Sequence, residues 1–240
     1  MRVLKRPAVM GAVAFLTVFG RGQVPQARAF WWFPAVGAGL GGLLAAVHWG
    51  AGGLWPLLVV GVVVVAADLV LTGALHLDGL ADSADGLFAH MDRDRRLAVM
   101  RRPDVGAFAV AAVVVVLGAR WASLSVDGVE SLSLAPIWAL SRTLVAVVPA
   151  IVPYARPAGL ADPFLAGARR WLVLWLAPAT AALVLIEGVA GAVAAGVAGA
   201  VAAGVAALAW RRLGGFTGDV LGAVILTAET AALLVLAADP

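Results

Sequence analysis

Seven stretches of roughly twenty residues, at about 30–49, 54–75, 105–124, 132–153, 171–188, 190–210 and 219–238, run almost without charge. Stretches of that length and character are at home in a lipid bilayer, where a helix satisfies its own backbone hydrogen bonds. The chain is 63% hydrophobic and 13% charged, with a mean hydropathy of +1.00, whereas soluble domains are about half apolar and about a quarter charged. The expected fold is all-α: a polytopic membrane helical bundle of about seven transmembrane helices, forming one integral-membrane domain over 1–240. The stretch 171–210 is nearly continuous and rich in Ala and Gly, so it reads either as a tight helical hairpin or as one long broken helix. Gly37 and Gly41, and further along Gly191, Gly196, Gly199 and Gly204, read as small faces on which helices approach closely in lipid.

Residues 1–29 begin with basic residues and an apolar run from Ala8 to Gly20. The run resembles a signal peptide, with Ala27-Arg28-Ala29 as a conceivable cleavage site. It is too short for a span and has basic residues on both sides, so a short interfacial or re-entrant N-terminal helix is expected.

The loops between the spans divide by charge. Loops 21–29, 76–104, 154–170 and 211–218 carry two, five, three and two Arg. The alternate loops, near 50–53, 125–131 and 188–190, carry none, and Asp127 and Glu130 lie there instead. By the positive-inside rule the first set is expected to face the cytoplasm. The nine Trp mostly sit near segment ends, as interfacial anchors do. With no Cys, disulfides, thiolate nucleophiles and zinc–thiolate or iron–sulfur sites are excluded. A net charge of +3 made of scarce charges gives no reason to expect nucleic acid as a partner.

One polar stretch interrupts the apolar chain. His76 to Asp104 holds six Asp and five Arg, 11 of the chain's 31 charged side chains. Within it Asp78, Asp82 and Asp85 fall at i, i+4 and i+7, so a helix there would carry all three carboxylates on one stripe. Two like charges about 5 Å apart repel by roughly 3 kcal/mol at an effective dielectric near 20. A divalent cation held by hard oxygen donors would remove that cost, and Mg²⁺ suits such a site. The alternative is a solvated loop whose Asp residues pair with neighbouring Arg. A second polar site, Gly214-Gly215-Phe216-Thr217-Gly218-Asp219, opens the last span. Its glycines offer backbone amides at a helix start, a geometry suited to oxyanions, while Asp219 could instead cap that helix. The loop charges put both sites, 76–104 and 211–219, at the same membrane face. Inside the spans Arg142 needs a partner, either an anionic ligand or an intramembrane acid, with Asp68 and Glu229 as the candidate acids, and Arg120 is expected to snorkel from its span end.

The run His76-Leu77-Asp78-Gly79-Leu80-Ala81-Asp82-Ser83-Ala84-Asp85-Gly86 resembles the hallmark of the cobalamin synthase family of membrane transferases. Gly214 through Ala223 is similar to a second element of that family, with no departure at its fixed positions. Weaker similarity lies at Arg28, at 33–42, at Ser141-Arg142 and at 95–110, so the resemblance covers essentially the whole chain in order. One departure is Arg102, where the family usually has an acid; an Asp follows two positions later at 104, and Asp104 is left out of the expected metal set.

The resemblance implies transfer of the cobinamide phosphate of adenosylcobinamide-GDP to α-ribazole or its 5′-phosphate, with release of GMP. It implies Mg²⁺ on Asp78, Asp82 and Asp85, with Asp219 as a further ligand or as base, and Asp82, Asp219 and His76 as the catalytic set. Arg93, Arg96, Arg142, Ser141, Gly215, Thr217 and Gly218 would contact substrate. The partners expected are these small molecules and the lipid bilayer, with a homo-oligomer left open. The rival is another Mg²⁺-dependent membrane transferase of diphosphate substrates, of the CDP-alcohol phosphotransferase type. That class has an Arg after its Asp-Gly-x-x-Ala, where this chain has Asp82. A transporter would need polar residues spread through the bilayer midplane, where only Asp68, Arg142 and Glu229 stand.

Overall fold

A computed structural model describes residues 8–20, 27–156 and 165–238. The helices are α1 (Ala8–Leu16), α2 (Phe33–Gly52), α3 (Leu57–Thr72), α4 (Leu75–Phe88), α5 (Arg93–Val99), α6 (Ala107–Ser123), α7 (Leu134–Val147), α8 (Leu176–Leu213) and α9 (Gly218–Ala237). Short 3₁₀ turns extend several of them, and the described residues contain no β-strand beyond an isolated bridge between Tyr154 and Phe216. The chain is all-helical, as expected.

Among the described residues four helical segments are long and apolar enough to cross a membrane: Ala27–Gly52, Ser131–Ala150, Arg170–Leu213 and Gly218–Ala237. The pair α3 and α4 becomes a fifth if its 91° bend lies within one crossing. α6 is apolar but one turn shorter. The bend falls at Gly73 and Ala74, two successive residues in the left-handed region. Gly73 adopts it freely and closes α3 by donating to the Leu69 and Val70 carbonyls; Ala74 does so at a cost of about 1–2 kcal/mol.

α8 is two helices. At Gly188, with φ +60° and ψ −133°, the chain turns back on itself. A Cβ on Gly191 would run into the Leu183 carbonyl, eight residues earlier, which a continuous helix would hold about 12 Å away. The flanks agree. Glu187 meets Ser133 and the Glu130 amide at the start of α7, while Arg170 reaches Ala150 and Leu213 is tied through Arg93 to Ala155, both past the end of α7. Of the two sequence readings, the hairpin holds.

α2 and α7 run antiparallel in close contact: Gly37 lies against the Trp138 carbonyl and Gly41 against the Leu134 carbonyl, so this GxxxG is a packing seam. Gly196, Gly199 and Gly204 differ from expectation, having nothing among the described residues within 4 Å of where a side chain would begin. α9 is the axial helix, packed on α4, α6, α7 and α8 and buried along most of its length. α1 tucks Ala12 and Leu16 inside and stacks Phe15 on Phe33. The expected N-terminal helix is present; residues 1–7, 21–26, 157–164 and 239–240 lie outside the described set.

The centre of the bundle is charged. Arg120 donates to Asp68 at 2.7 Å and to Glu229 at 2.9 Å, with Trp138 under its guanidinium and the Trp138 indole donating to Asp68. Arg142 pairs with the other oxygen of Glu229, which also accepts from Ser141. The snorkelling expected of Arg120 does not occur: it is buried, because two acids inside the bundle offer it better partners than the membrane surface does.

Candidate active site

α4 carries the three motif carboxylates on its outward stripe and buries His76, Gly79, Leu80, Ser83, Ala84, Gly86 and Leu87 beneath them. Two of its glycines are contact points. A Cβ on Gly79 would stand 2.7 Å from the Asp219 carbonyl oxygen, and Gly222 lies over the backbone of His76 and Gly79. Small residues on α4 and α9 therefore bring the two sequence motifs together backbone to backbone.

Facing α4, the turn from Met100 to Val105 closes a cleft of about 310 Å³ lined by Asp78, Asp82, Asp85, Arg101, Arg102 and Asp104. Asp104, set aside in the sequence reading, is thus on the wall of the same cleft. The three stripe carboxylates are not equivalent. Asp85 accepts from the Gly106 amide at 2.6 Å and the Ala109 amide at 3.0 Å, so both its oxygens serve the free N–H groups that start α6. Asp78 and Asp82 have no hydrogen bond or ion pair with a described residue. No three Asp, Glu or His side chains among the described residues converge as a ready-made metal cage.

The second motif is assembled by local rules. Gly214, at φ +73°, ends α8 in the left-handed conformation usual after a helix. Gly215 lies against the Pro153 carbonyl, where a side chain would not fit. Phe216 then pairs with 153–155 through two backbone hydrogen bonds of 2.8 and 2.9 Å. Thr217, fully buried, caps α9 by accepting from the Val220 amide. The cap is Thr217 and not Asp219, which leaves the Asp219 carboxylate available. It accepts from Arg156 at 2.8 Å and from Thr217 at 3.2 Å. Gly218 has open space around it.

The remaining expected site residues fall into two groups. Arg93 donates to the Leu213 and Ala155 carbonyls, bracing the second motif from behind, and Arg96 is buried against the Gly86 and Leu87 carbonyls, closing the end of α4. Neither lines the cleft. Ser141 and Arg142 belong to the buried charge cluster around Glu229, also away from the cleft. His76 is buried, and its Nε2 has no partner among the described residues. Sequence reasoning missed Arg156, the one Arg bonded to a motif carboxylate among the described residues; it counted only as one of three Arg in a loop.

Residues 8–237 match the family described as cobalamin-5-phosphate synthase (CobS). The chain is 37% identical over 217 residues to the adenosylcobinamide-GDP ribazoletransferase of Roseiflexus sp. (strain RS-1), covering 89% of this chain and 80% of the relative. It is 37% identical over 239 residues to the protein of that name in Bradyrhizobium diazoefficiens, covering 97% and 86%, respectively. A third relative of the same name, in Alkalilimnicola ehrlichii, is 45% identical over 214 residues, covering 84% and 81%. No solved structure matches the chain.

Proposed function

The chain belongs to the cobalamin-5-phosphate synthase family, and from that membership we infer that it is an adenosylcobinamide-GDP ribazoletransferase. It joins the cobinamide phosphate of adenosylcobinamide-GDP to α-ribazole or to α-ribazole 5′-phosphate. A ribose hydroxyl of the acceptor attacks the phosphorus next to cobinamide. The new O–P bond forms as the bond to the bridging oxygen breaks, GMP departs, and the hydroxyl proton passes to a carboxylate.

One observation carries the siting of this reaction: Gly79 and Asp219 are in backbone contact, which sets the glycine-rich turn against the Asp-rich helix whose carboxylates line the cleft. Phosphoryl transfer asks mainly for positioning and for neutralisation of charge on the transferring group. Asp78 and Asp82 have no hydrogen bond or ion pair with a described residue, carry hard oxygen donors and stand a helical turn apart on α4. Mg²⁺ is commonly held by one or two carboxylates with substrate phosphates completing its shell, so these two residues suit it without a third protein ligand converging. Asp219 would join them as ligand or act as the base. Bound there, the ion would supply charge neutralisation to the diphosphate and to the leaving GMP. Asp85 holds the start of α6 in register with the cleft. Arg93 and Arg96 set the second motif and the end of α4. Thr217, Gly215 and Gly218 keep the turn tight and open to substrate, and His76, Ser141 and Arg142 support the site from below.

In the membrane we assign seven crossings: α2, α3, α6, α7, the two arms of α8, and α9, with α4 beyond the 91° bend at the membrane face. The Arg-bearing loops and the cleft then face the cytoplasm of the bacterial inner membrane. The test is turnover by the purified, detergent-solubilised protein given adenosylcobinamide-GDP and α-ribazole. GMP and corrinoid product in Mg²⁺, abolished by EDTA, are the expected result. No product from folded protein, with turnover of CDP-alcohol donors instead, would move the protein to the rival class.

A further inference from the structure

We propose that Arg156 is a phosphate-binding residue beside the Asp-lined cleft, and that in the free enzyme Asp219 holds its guanidinium ready for the substrate diphosphate. The proposal rests on the diphosphate-transfer reading above. Three features set Arg156 apart from the other Arg residues nearby.

The first is its bond. Nη2 donates to Asp219 Oδ2 at 2.8 Å and more weakly to the Met100 carbonyl at 3.5 Å, so the guanidinium stands directly beside the carboxylate at the meeting point of α4 and α9. The second is how firmly it is delivered there. Ala155 donates its amide to the Phe216 carbonyl at 2.8 Å, Phe216 donates to Pro153 at 2.9 Å, and Arg93 bonds both the Ala155 and Leu213 carbonyls. The backbone leading into Arg156 is thereby fixed to the very turn that carries Asp219. The third is incompleteness. A guanidinium presents five N–H donors in a planar fork. The Nε of Arg156 is buried with no partner among the described residues, although the side chain as a whole keeps 13% exposure. Buried donors are nearly always paired, so the open Nε leaves room for a further acceptor. A fork with one arm on a carboxylate and a donor in reserve is suited to phosphate oxygens, which Arg binds in pairs.

When the diphosphate enters, its oxygens compete with Asp219 for the guanidinium. Arg156 turns its donors to the phosphate, and Asp219 is released towards the acceptor hydroxyl or the metal. The arrangement uses one cation twice, first to hold the carboxylate in place and then to bind the charge it leaves behind. By contrast, the hydrogen bonds of Arg93 and Arg96 all go to backbone carbonyls, and Arg101 and Arg102 line the opposite wall.

The experiment compares wild type with Arg156→Gln and Arg156→Lys in detergent, using inorganic pyrophosphate with Mg²⁺ as the binding probe and adenosylcobinamide-GDP turnover as the kinetic one. The expected result for Arg156→Gln is a pyrophosphate affinity at least tenfold weaker and a kcat/KM for adenosylcobinamide-GDP lower by roughly 10³-fold, with the KM for α-ribazole unmoved. Arg156→Lys keeps the charge but loses the fork, and its loss should be smaller. Methylguanidinium should restore part of the turnover of Arg156→Ala, which a structural role would not allow. Equal pyrophosphate affinity in wild type and Arg156→Gln, or no pyrophosphate binding by wild type, overturns the proposal. Absence of wild-type turnover with pyrophosphate binding that depends on Arg156 would overturn the ribazoletransferase reading instead and leave Arg156 as a diphosphate ligand.

Discussion

Gly79 and Asp219 touch through their backbones: the position of a Cβ on Gly79 is 2.7 Å from the Asp219 carbonyl oxygen and 3.1 Å from its Cα. That contact joins the two polar motifs, and it exists because Gly79 interposes no side chain there. Gly79→Ala must push α4 off α9. Misplacing reacting groups by about 1 Å can cost about 10²-fold in rate, and a loss of that order in kcat/KM is expected. Gly196→Ala, in open space, serves as the control and should leave turnover and melting temperature near wild type.

The buried cluster predicts a pattern in stability. Asp68 and Glu229 face Arg120 and Arg142, two charges against two, in the interior of the bundle. Arg120→Met leaves an uncompensated buried carboxylate and should cost about 3–5 kcal/mol. Asp68→Leu combined with Arg120→Met removes one charge of each sign and should recover much of that loss. Thermal unfolding in detergent measures both variants; additive losses would contradict the pairing.

Asp85 and its neighbours on α4 should part company when mutated. Asp85 accepts two amides at the start of α6, so Asp85→Ala is expected to lower stability by about 1–2 kcal/mol, as a lost helix cap does. Its turnover should fall less than that of Asp78→Ala, which has no structural bond to lose. Paired measurements of melting temperature and turnover distinguish the two roles.

Much of the site was readable from residue spacing and resemblance, and the exceptions have physical causes. The stripe Asp78, Asp82, Asp85 required only that 75–88 be helical, and it is. That Asp85 belongs to α6 could not be read from spacing, because its partners, Gly106 and Ala109, are more than twenty residues away. Arg120 looked like a surface anchor because sequence position gives depth and not direction; Asp68 and Glu229 decide the direction. Arg93 and Arg96 are expected at substrate phosphate from the resemblance; in the structure their hydrogen bonds go to backbone carbonyls. Arg156 carried no periodic signal and is placed by a backbone bridge between two loops. The Ala- and Gly-rich stretch 171–210 allowed two shapes, and the positive φ at Gly188 selects the hairpin.

The seven-crossing assignment is open to direct test because the chain has no native Cys. Single substitutions Asp127→Cys and Val189→Cys should react with a membrane-impermeant maleimide in intact cells. Arg102→Cys and Arg212→Cys should react only after the membrane is permeabilised. Labelling of Arg212→Cys from outside, or protection of Val189→Cys, would contradict the hairpin as a double crossing.

The most direct measurement of the central claim is turnover by Asp82→Ala, supplied with adenosylcobinamide-GDP, α-ribazole and Mg²⁺. Asp82 lines the cleft, has no structural partner among the described residues and lies between Asp78 and Asp85 on the stripe. The account predicts GMP release reduced by about 10³-fold or more, with membrane insertion and melting temperature retained. Near-normal GMP release from this variant would contradict it and place the chemistry elsewhere in the bundle.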